Sequence, residues 1–431
     1  MYRKLTNKLI EWKNSPYRKP LILQGARQVG KTYTVLEFAR NNYENVFYIN
    51  FETMNRAKAL FDDSIDPKDL VPKLSNFLKQ PIMKENTLIL FDEVQLCERA
   101  LTSLKYFNEF APEYHVIVAG SLLGIALNRE EFSFPVGKVN FETLNPMDME
   151  EFLIALDQNE LVDKIKICFE NNTPIDSAYH DMLMDYYRQF LVVGGMPECV
   201  DKFIRTSDYT LIRAAQAEML ASYLKDMSKY NAKPEIKKTQ LVYKNITTQL
   251  SKKNTRFQYK LVKSGGRAAD FESAIEWLAL SGLVTQVYNL DTVKKPLDNY
   301  KNIDSFKIFL SDTGLLCANK EIIADDIIYQ NEALNDFKGG MTENYVCSQL
   351  IGCGHTPYSW QSEGEAEIDF IIQREGEIIP VEVKSSDNTR AKSLKIYMQR
   401  FTPKYAIKIS ANNFGFESNV KTIPLYAAFC I

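Results

Sequence analysis

Residues 21–32 read Leu21-Ile22-Leu23-Gln24-Gly25-Ala26-Arg27-Gln28-Val29-Gly30-Lys31-Thr32. The apolar residues at the start predict a short buried strand, the glycines predict a tight loop, and the residues after Gly30 predict the first turn of a helix. Gly25 and the Gly30-Lys31-Thr32 triplet match G-x-x-x-x-G-K-S/T, the pattern of a phosphate-binding P-loop. The structural alternative is a strand–turn–helix that carries a chance pair of glycines.

The residue types of this loop suit a bound polyphosphate. Its backbone N–H groups would turn inward around the phosphates, and the helix N-terminus would add positive potential. Lys31 would neutralise the β- and γ-phosphates, and the hydroxyl of Thr32 would ligate Mg²⁺. We therefore expect ATP and Mg²⁺ as cofactors, with a nucleotide-binding loop formed by Gly25, Ala26, Arg27, Gln28, Val29, Gly30, Lys31 and Thr32.

A second part of the same site follows at residues 88–93, which read Leu88-Ile89-Leu90-Phe91-Asp92-Glu93. Four apolar residues predict a buried parallel strand, and the acids stand at its carboxyl end, where α/β sheets bind ligands. Asp92 would hold Mg²⁺ through water, and Glu93 would polarise the attacking water. An acidic pair after a strand is often only a helix start, but the P-loop upstream favours the nucleotide site.

Length and composition are those of a multidomain globular protein. A chain of 431 residues with 45% apolar and 25% charged residues predicts two to four domains. No apolar run has the length of a membrane span, and the N-terminus lacks the apolar core of a signal peptide. The seven cysteines have no paired metal spacing, and three histidines make a histidine-based metal cage improbable. We expect a cytoplasmic protein with reduced thiols and no membrane contact.

Charge is distributed unevenly along the chain. Residues 142–185 contain 11 acids and two lysines, a net charge of −9, whereas residues 225–267 contain 12 Lys or Arg and two acids, a net charge of +10. A basic segment of this kind is either a solvated face or an electrostatic footprint for nucleic acid. Composition alone favours the solvated face.

The order of elements around the P-loop predicts a particular ATPase architecture. Residues 1–20 predict a basic helix, residues 46–51 a strand, residues 101–110 a helix and residues 115–121 another strand. Between residues 55 and 84 we expect helical stretches broken by Pro67, Pro72 and Pro81. A strand between the P-loop and the acidic strand, with another after it, describes the ATPase branch that has an extra central strand and its own glutamate base.

Three motifs carry a family resemblance: residues 25–32, Asp92-Glu93-Val94-Gln95, and Ala119-Gly120-Ser121. Together they resemble the prokaryotic AAA+-type ATPases of the archaeal-ATPase and STAND neighbourhood. In those families the polar residue that ends the fourth strand senses the γ-phosphate, and the resemblance implies this catalytic role for Ser121.

Further segments are similar to the same family. Phe134-Pro135-Val136-Gly137-Lys138 is similar to its Pro-Val-Gly-Arg segment, but lysine cannot make the planar bidentate contact of arginine, so the resemblance does not carry an arginine-finger role over to Lys138. Residues 144–153 are similar to the entry into the family's helical lid. Gly194-Gly195-Met196-Pro197-Glu198 is a further hallmark, and it is also compatible with a simple connection between two helices.

Residues 226–310 predict a winged-helix-like domain. Residues 257–263, the Ser264-Gly265-Gly266 turn and a helix over residues 268–281 form a helix–turn–helix pattern, and an alternating strand follows Gly282. Winged helices bind DNA and also serve as protein-contact modules. The charge of the basic segment favours DNA contact.

The C-terminal part carries a second group of candidate site residues. Strands are predicted at residues 358–360, 367–372 and 378–384, and side-chain alternation places Glu382 and Lys384 on one face, where Asp369 of a neighbouring strand could join them. This arrangement resembles the PD-(D/E)xK nucleases, in which a helix acid, here Glu343, is the usual fourth member. Carboxylates would bind Mg²⁺ and the lysine would orient or activate water.

Three interpretations of this group remain open. The domain cleaves DNA, or it keeps a nuclease-like fold that only grips DNA, or Glu382 and Lys384 form a structural ion pair. Glu363, Glu365 and Glu367 would repel phosphate unless Mg²⁺ neutralises them, so cleavage is less favoured than binding. The arrangement resembles the uncharacterised C-terminal domain that accompanies this ATPase, so the resemblance covers nearly the whole chain.

The sequence thus predicts an α/β protein in four parts: a P-loop NTPase core (residues 1–141), a helical lid (142–225), a winged-helix-like domain (226–310) and an α/β restriction-endonuclease-like, PD-(D/E)xK nuclease-like domain (311–431). The predicted function is an Mg²⁺-dependent ATPase that couples nucleotide state to DNA binding through residues 225–267 and the C-terminal domain. The alternative is a non-catalytic, ATP-bound switch that engages a protein partner. A homo-oligomer is compatible with either.

Overall fold

A computed structural model describes residues 1–121, 123, 137–230, 233–252, 256–362, 364, 366–385 and 392–431. The chain divides into two compact units. The first comprises Met1–Asn145 with Leu280–Gly282, and the second comprises Pro146–Ala279 with Leu283–Ile431.

The first unit is built on a five-stranded parallel sheet. Its strands are β1 (Leu21–Gln24), β2 (Asn45–Asn50), β3 (Thr87–Asp92), β4 (His115–Ala119) and β5 (Asn140–Thr143), and their order is β2-β3-β4-β1-β5. Strand β4 lies between the P-loop strand β1 and the acidic strand β3, which confirms the predicted extra central strand. Strand β5 was not predicted, and it crosses the boundary that the sequence suggested at residue 141.

Helices and short 3₁₀ turns connect these strands. The helices of the first unit are α1 (Leu5–Asn14), α2 (Lys31–Asn42), α3 (Pro67–Leu78) and α4 (Glu98–Phe110), with 3₁₀ turns at Asn55–Phe61 and Val94–Leu96. The rings of Phe51, Phe61 and Phe91 contact one another with centroids 5.5–5.9 Å apart, in the geometry that aromatic pairs prefer. This cluster fixes the strand that ends in the two acids.

Helix α3 corrects one prediction from the sequence. Pro67 begins the helix, as expected because the first residue of a helix needs no N–H donor. Pro72 lies inside the helix and does not break it. Leu70, Val71 and Leu74 are buried against the core, while Pro72 is exposed. Burial of that apolar face offsets the cost of an internal proline, which is about 3 kcal/mol.

The helices of the second unit surround a second sheet. After residue 145 they are α5 (Met149–Ala155), α6 (Asn159–Asn171), α7 (Ser177–Val193), α8 (Pro197–Thr206), α9 (Tyr209–Tyr230), α10 (Lys233–Leu250), α11 (Tyr259–Val262), α12 (Ala268–Leu280), α13 (Thr313–Asn319), α14 (Ala324–Ile328), α15 (Asn335–Gly352) and α16 (Lys392–Phe401). Further 3₁₀ turns lie at Leu297–Tyr300, Glu332–Leu334 and Leu425–Cys430. Two acids of the acidic segment, Asp148 and Glu151, form a capping box at the start of α5.

The Gly194-Gly195 motif has a structural explanation in this unit. Helix α7 ends at Gly194, whose φ of 73° favours glycine, and a side chain on Gly195 would meet the carbonyl oxygen of Met147 at 2.0 Å. The buried carboxylate of Asp312 accepts a hydrogen bond from the Gly195 N–H at 2.6 Å and another from the Leu315 N–H at 2.8 Å. Asp312 thereby fixes the α7–α8 turn to the start of α13.

The second sheet has eight strands of mixed direction. They are β6 (Val284–Leu290), β7 (Lys301–Leu310), β8 (Tyr358–Gln361), β9 (Glu367–Arg374), β10 (Glu377–Val383), β11 (Ala406–Ser410), β12 (Gly415–Glu417) and β13 (Val420–Pro424), in the order β12-β13-β11-β10-β9-β8-β6-β7. The pairs β6–β8, β10–β11 and β11–β13 are parallel, and the other pairs are antiparallel. The three strands that the sequence predicted in the C-terminal part form β8, β9 and β10.

The sheet is continuous across the predicted boundary at residue 310. The helices α10, α11 and α12 precede the β6–β7 hairpin, which is the element order that the sequence predicted for a winged-helix-like part. The same hairpin joins the C-terminal strands through pairing of Asn289 with Ser359 and Leu290 with Trp360. In the described part of the chain, no helix combines the length and apolar character that a membrane crossing requires.

Candidate nucleotide-binding site and acidic cluster

The P-loop lies between β1 and the start of α2, at the carboxyl edge of the parallel sheet. Gly25 has a φ of 147°, and a side chain there would meet the Leu144 carbonyl oxygen at 2.2 Å, because β5 continues its pairing past Gln24. Gly30 has a φ of 91° and begins α2. Only glycine adopts both conformations without strain. The spacing of the two glycines is therefore a requirement of the loop and not a coincidence.

Lys31 folds back over the loop. Its ammonium donates hydrogen bonds to the carbonyl oxygens of Gly25 at 2.9 Å and Ala26 at 2.8 Å, and the residue is 7% exposed. Burial lowers the pKa of Lys31 to about 8, although the Glu93 and Asp92 carboxylates oppose the shift. A cation held by two neutral carbonyl oxygens is incompletely compensated, so an anion in the loop would be attracted strongly.

Thr32 and Asp92 come together as the sequence predicted for an Mg²⁺ site. The Thr32 hydroxyl donates to Asp92 Oδ2 at 2.8 Å, and the same oxygen accepts from the Tyr48 hydroxyl at 3.1 Å and the Asn50 amide at 3.3 Å. Asp92 is 3% exposed. A hydroxyl and a carboxylate at the end of the P-loop are the hard oxygen donors that Mg²⁺ prefers. These residues fit the cation.

Glu93 is held by a residue that the sequence analysis did not single out. Gln95 donates its amide N–H to Glu93 Oε2 at 2.5 Å, and the Ser121 hydroxyl lies 3.5 Å from the same oxygen. Burial raises the pKa of Glu93, and the Gln95 hydrogen bond opposes that rise. The structure therefore brings Glu93 and Ser121 together, with Gln95 as a restraint on the carboxylate.

The glycine of Ala119-Gly120-Ser121 makes room for Gln95. A side chain on Gly120 would meet Gln95 Oε1 at 2.2 Å, so any larger residue would displace the amide that holds Glu93. The motif Asp92-Glu93-Val94-Gln95 already contained this glutamine. The signal was therefore present in the sequence, but the contact with Gly120 depends on the approach of β3 and β4.

Arg3 is a second residue whose role was not predicted. It is 4% exposed, and its guanidinium donates to the carbonyl oxygens of Val29 at 2.7 Å and Asn145 at 2.6 Å. Arg3 thus ties the P-loop to the end of the first unit. From the sequence it was only one of several cations in a basic helix.

The remaining predictions near this site have mixed outcomes. Arg27 and Gln28 lie exposed at the rim of the loop. Lys138 forms an ion pair with Glu109 at 3.0 Å. Residues 134–136 of the segment that is similar to Pro-Val-Gly-Arg lie outside the described residues.

The predicted C-terminal residues converge around a lysine that was not predicted. Lys307 of β7 is 2% exposed, and its ammonium lies 3.1 Å from Glu343 Oε2, 2.8 Å from Glu367 Oε1 and 3.9 Å from Asp369 Oδ1. We call Lys307, Glu343, Glu367, Asp369, Glu382 and Lys384 the acidic cluster. Glu363 and Glu365 lie outside the described residues.

Glu382 and Lys384 complete the acidic cluster. Lys384 Nζ lies 2.5 Å from Glu382 Oε1, and Asp369 Oδ2 accepts a hydrogen bond from the Val383 N–H at 2.7 Å, so β9 and β10 bring the predicted residues together. Glu382 Oε2 is buried and has no hydrogen-bond partner among the residues that the structure describes. Burial raises the pKa values of Asp369 and Glu382, although Lys307 opposes the shift at Asp369 and Lys384 opposes it at both.

The basic segment presents cations to solvent. Seven of them are exposed: Lys225, Lys237, Lys244, Lys252, Lys260, Lys263 and Arg267. Lys238 instead forms an ion pair with Glu235 at 2.9 Å. The described part of the segment therefore keeps an exposed positive character after folding.

Comparison with protein families divides the chain in three. Residues 17–153 match the AAA domain family, residues 184–326 match a domain of unknown function (DUF8612), and residues 338–428 match another domain of unknown function (DUF4143). The first match covers the P-loop, the Asp92-Glu93 pair and Ser121. It supports an AAA-type, ATP-binding ATPase domain. No curated protein matches the chain.

Several solved structures are loosely similar. A Walker-type ATPase of Pyrococcus abyssi is 13% identical, with coverage of 74% of this chain and 95% of that chain and a TM-score of 0.45. The ORC2 protein of Aeropyrum pernix is 12% identical, with coverage of 76% and 91% and a TM-score of 0.36. The Aeropyrum pernix ORC1 protein in complex with DNA is 14% identical, with coverage of 76% and 92% and a TM-score of 0.30. The assignment rests on the AAA-domain match and not on these likenesses.

Proposed function

We propose that the protein is an Mg²⁺-dependent ATP hydrolase whose nucleotide state controls DNA binding. The observation that carries the ATPase part is the meeting of Lys31, Thr32, Asp92 and Glu93 at one edge of the parallel sheet. Lys31 supplies positive charge, Thr32 and Asp92 supply oxygen ligands, and Glu93 supplies a base.

Each residue has a defined task in this proposal. The phosphates replace the Gly25 and Ala26 carbonyl oxygens as partners of the Lys31 ammonium, and the backbone N–H groups of the loop bind the phosphate oxygens. Thr32 and Asp92 would hold Mg²⁺, which neutralises phosphate charge when it is bound. Glu93 accepts a proton from the attacking water, and Ser121 senses the γ-phosphate.

The Gln95 contact supports a second candidate function. The amide that donates to Glu93 Oε2 at 2.5 Å makes the carboxylate a weaker base and restrains its rotation towards an attacking water. If the hydrogen bond persists with ATP bound, the protein is a non-catalytic switch that keeps its nucleotide. The two candidates share the same binding residues and differ only in turnover.

The DNA part of the proposal rests on charge. The exposed cations of residues 225–267 are single charges on flexible stems, which suit contacts with a phosphate backbone. The element order α10, α11, α12 and the β6–β7 hairpin supports a winged-helix-like part at this place. We assign sequence-independent DNA contact to this segment and further contact to the C-terminal domain.

The proposal is tested by steady-state ATP hydrolysis with and without single-stranded, duplex and branched DNA. We expect turnover that DNA stimulates, loss of nucleotide binding in Lys31→Ala, and retained binding without hydrolysis in Glu93→Gln. Glu37→Gln is the matched control, because Glu37 is an exposed acid of the same unit and its loss should leave hydrolysis intact. Hydrolysis by Glu93→Gln at the wild-type rate would refute the assignment of the base. Tightly co-purifying nucleotide without turnover would establish the switch.

A further inference from the structure

The acidic cluster contains a cation of its own. Lys307 is the only residue of β7 that carries a charge into the cluster, and its ammonium lies within 4 Å of carboxylate oxygens from Glu343, Glu367 and Asp369. These oxygens come from two different elements: helix α15 supplies Glu343, and strand β9 supplies Glu367 and Asp369. A single buried ammonium thus occupies the point where the acids meet.

The position of Lys307 is fixed by its neighbours in the fold. The Leu310 N–H donates to the Asn344 side-chain oxygen at 2.8 Å, so β7 is joined to α15 next to Glu343. Phe309 contacts Phe370 of β9 with ring centroids 5.7 Å apart. Lys307 therefore cannot leave the cluster by a simple side-chain rotation into solvent.

The remaining groups complete the charge balance. Lys384 pairs with Glu382 Oε1 at 2.5 Å, so the cluster contains two ammonium groups and four carboxylates. A divalent cation bound by Asp369 and Glu382 would lie close to the Lys307 ammonium, which is 3.9 Å from Asp369 Oδ1, and like charges repel strongly where water is excluded. Within the described residues, no set of three or more His, Cys, Asp or Glu side chains is arranged to hold a metal ion. The residues present do not fit the Mg²⁺ that the nuclease-like pattern implies.

We propose that Lys307 is the resident cation of the acidic cluster, that it takes the place of a divalent metal, and that the cluster is therefore a structural and binding element that does not cleave DNA. The ammonium satisfies the acids of α15 and β9 and holds β7 against them. Removal of its charge would leave Glu343, Glu367 and Asp369 close together without a cation. Carboxylates that the ammonium no longer holds can turn towards one another and coordinate a divalent cation. A metal site would thus form only after this one side chain loses its charge.

The test measures Mn²⁺ binding to the full chain without nucleotide. The readout is the electron paramagnetic resonance signal of the Mn²⁺ that remains unbound. Every protein in the series also carries Asp92→Asn, so that the nucleotide site contributes no metal binding. We expect the parent and Lys307→Arg to bind Mn²⁺ only weakly, and we expect Lys307→Gln to gain one Mn²⁺ per chain with an affinity increased roughly tenfold or more. Circular dichroism verifies folding, and bound Mn²⁺ should raise the melting temperature of Lys307→Gln alone.

Either of two Mn²⁺-binding results would overturn the proposal. It is overturned if folded Lys307→Gln binds Mn²⁺ no better than the parent. It is also overturned if the parent binds one Mn²⁺ that Asp369→Asn or Glu382→Gln removes, because the metal then coexists with Lys307. This second comparison uses a parent that retains Lys307, so it decides the question even if Lys307→Gln does not fold. The proposal would also be overturned if the protein that retains Lys307 cleaved DNA in the presence of Mn²⁺ and Lys384→Ala abolished that cleavage.

Discussion

Two lysines are buried in the described chain, and their surroundings affect them in opposite ways. Lys31 donates to two neutral carbonyl oxygens, and burial lowers its pKa to about 8. Lys307 lies among three carboxylates, and although burial alone would lower its pKa, Glu343, Asp369 and Glu367 raise it above the usual value. A weakly compensated cation attracts an anionic ligand, whereas a fully compensated cation is part of the structure.

Lys31 makes ATP binding depend on pH. Because the pKa of Lys31 is about 8 without nucleotide and phosphate charge would raise it, binding above that pH takes up a proton. ATP affinity should therefore fall as pH rises through this region, by up to about tenfold per pH unit. Isothermal titration calorimetry at about pH 9, in buffers of different ionisation enthalpy, should detect the uptake of almost one proton.

Two controls test whether the proton uptake comes from the Lys31 ammonium. Near neutral pH Lys31 is protonated in both states, so the proton uptake that depends on it should vanish. In Lys31→Arg the guanidinium stays protonated, so any residual ATP binding should take up no proton under alkaline conditions. Equal affinities at neutral and alkaline pH would contradict the assignment of Lys31 as the phosphate partner.

Gln95 should restrain hydrolysis. Removal of its amide in Gln95→Ala frees the Glu93 carboxylate, and a hydrogen bond to a charged group contributes about 1.5–3 kcal/mol. We expect the basal rate of ATP hydrolysis to rise by roughly tenfold, with little change in ATP affinity. The measurement is steady-state turnover at saturating ATP without DNA.

Gln80 provides the matched comparison. Its amide donates to the Val46 carbonyl oxygen at 2.9 Å and makes no contact with Glu93, so Gln80→Ala should lower stability without raising turnover. A slower Gln95→Ala enzyme that still binds ATP would mean that Gln95 positions Glu93 for catalysis and does not hold it back.

Among the elements, helix α15 places Glu343 and carries two adjacent glycines in different surroundings. A side chain on Gly340 would meet the Leu250 carbonyl oxygen of α10 at 2.1 Å, whereas a side chain on Gly339 would meet no atom of the described residues within 4 Å. Close backbone approach therefore requires glycine at only one of the two positions. The other glycine lowers the stability of the helix without a packing reason.

Replacement of each glycine by alanine should change the free energy of unfolding in opposite directions. Gly339→Ala should raise the free energy of unfolding by up to about 1 kcal/mol, because alanine favours the helix. Gly340→Ala should lower it by about 1–3 kcal/mol, because α10 must shift away from α15. Urea denaturation of both variants decides the matter. Destabilisation by both, or by neither, would mean that the α10–α15 contact differs from the one described.

The elements also show what the sequence could predict and what it could not. The P-loop, β3 and the Asp92-Glu93 pair depend on local patterns of apolar residues, glycines and acids, and all were predicted from residues 21–32 and 88–93. Strand β5 has no such pattern over its four residues. Pro72 was judged by its local effect, but burial of the opposite face of α3 decides its position.

The same distinction applies to the side chains of the two sites. Glu343, Asp369, Glu382 and Lys384 were predicted because a known pattern connects them. Lys307 was not, because it lies 36 residues before Glu343 and reaches the cluster only through the fold of β7. Arg3 likewise contacts Asn145 across 142 residues of sequence. Contacts of this range depend on tertiary structure that no local pattern encodes.

For the whole molecule, the charge of residues 225–267 determines how DNA binding should respond to salt. We expect four to seven of the exposed cations to contact phosphates. A plot of the logarithm of the association constant against the logarithm of the salt concentration should then have a slope of roughly −4 to −6. Lys260→Ala combined with Lys263→Ala should reduce this slope by about two. Fluorescence anisotropy over a salt series measures it.

Lys68→Ala is the matched control, because Lys68 is exposed but lies outside the basic segment. It should leave the slope unchanged. A slope near zero, or no binding to any DNA at low salt, would remove nucleic acid from the expected partners. The segment would then be a solvated or protein-facing surface.

The coupling of nucleotide state to DNA binding is tested most directly by one affinity measurement on Glu93→Gln. This variant should hold ATP without hydrolysing it, so its duplex-DNA affinity can be measured with Mg²⁺-ATP and with Mg²⁺-ADP at one fixed salt concentration. We predict affinities that differ by roughly tenfold or more, the usual size of a coupling between two ligand sites. Equal affinities with ATP, ADP and no nucleotide would contradict the proposal that the ATPase site controls DNA binding.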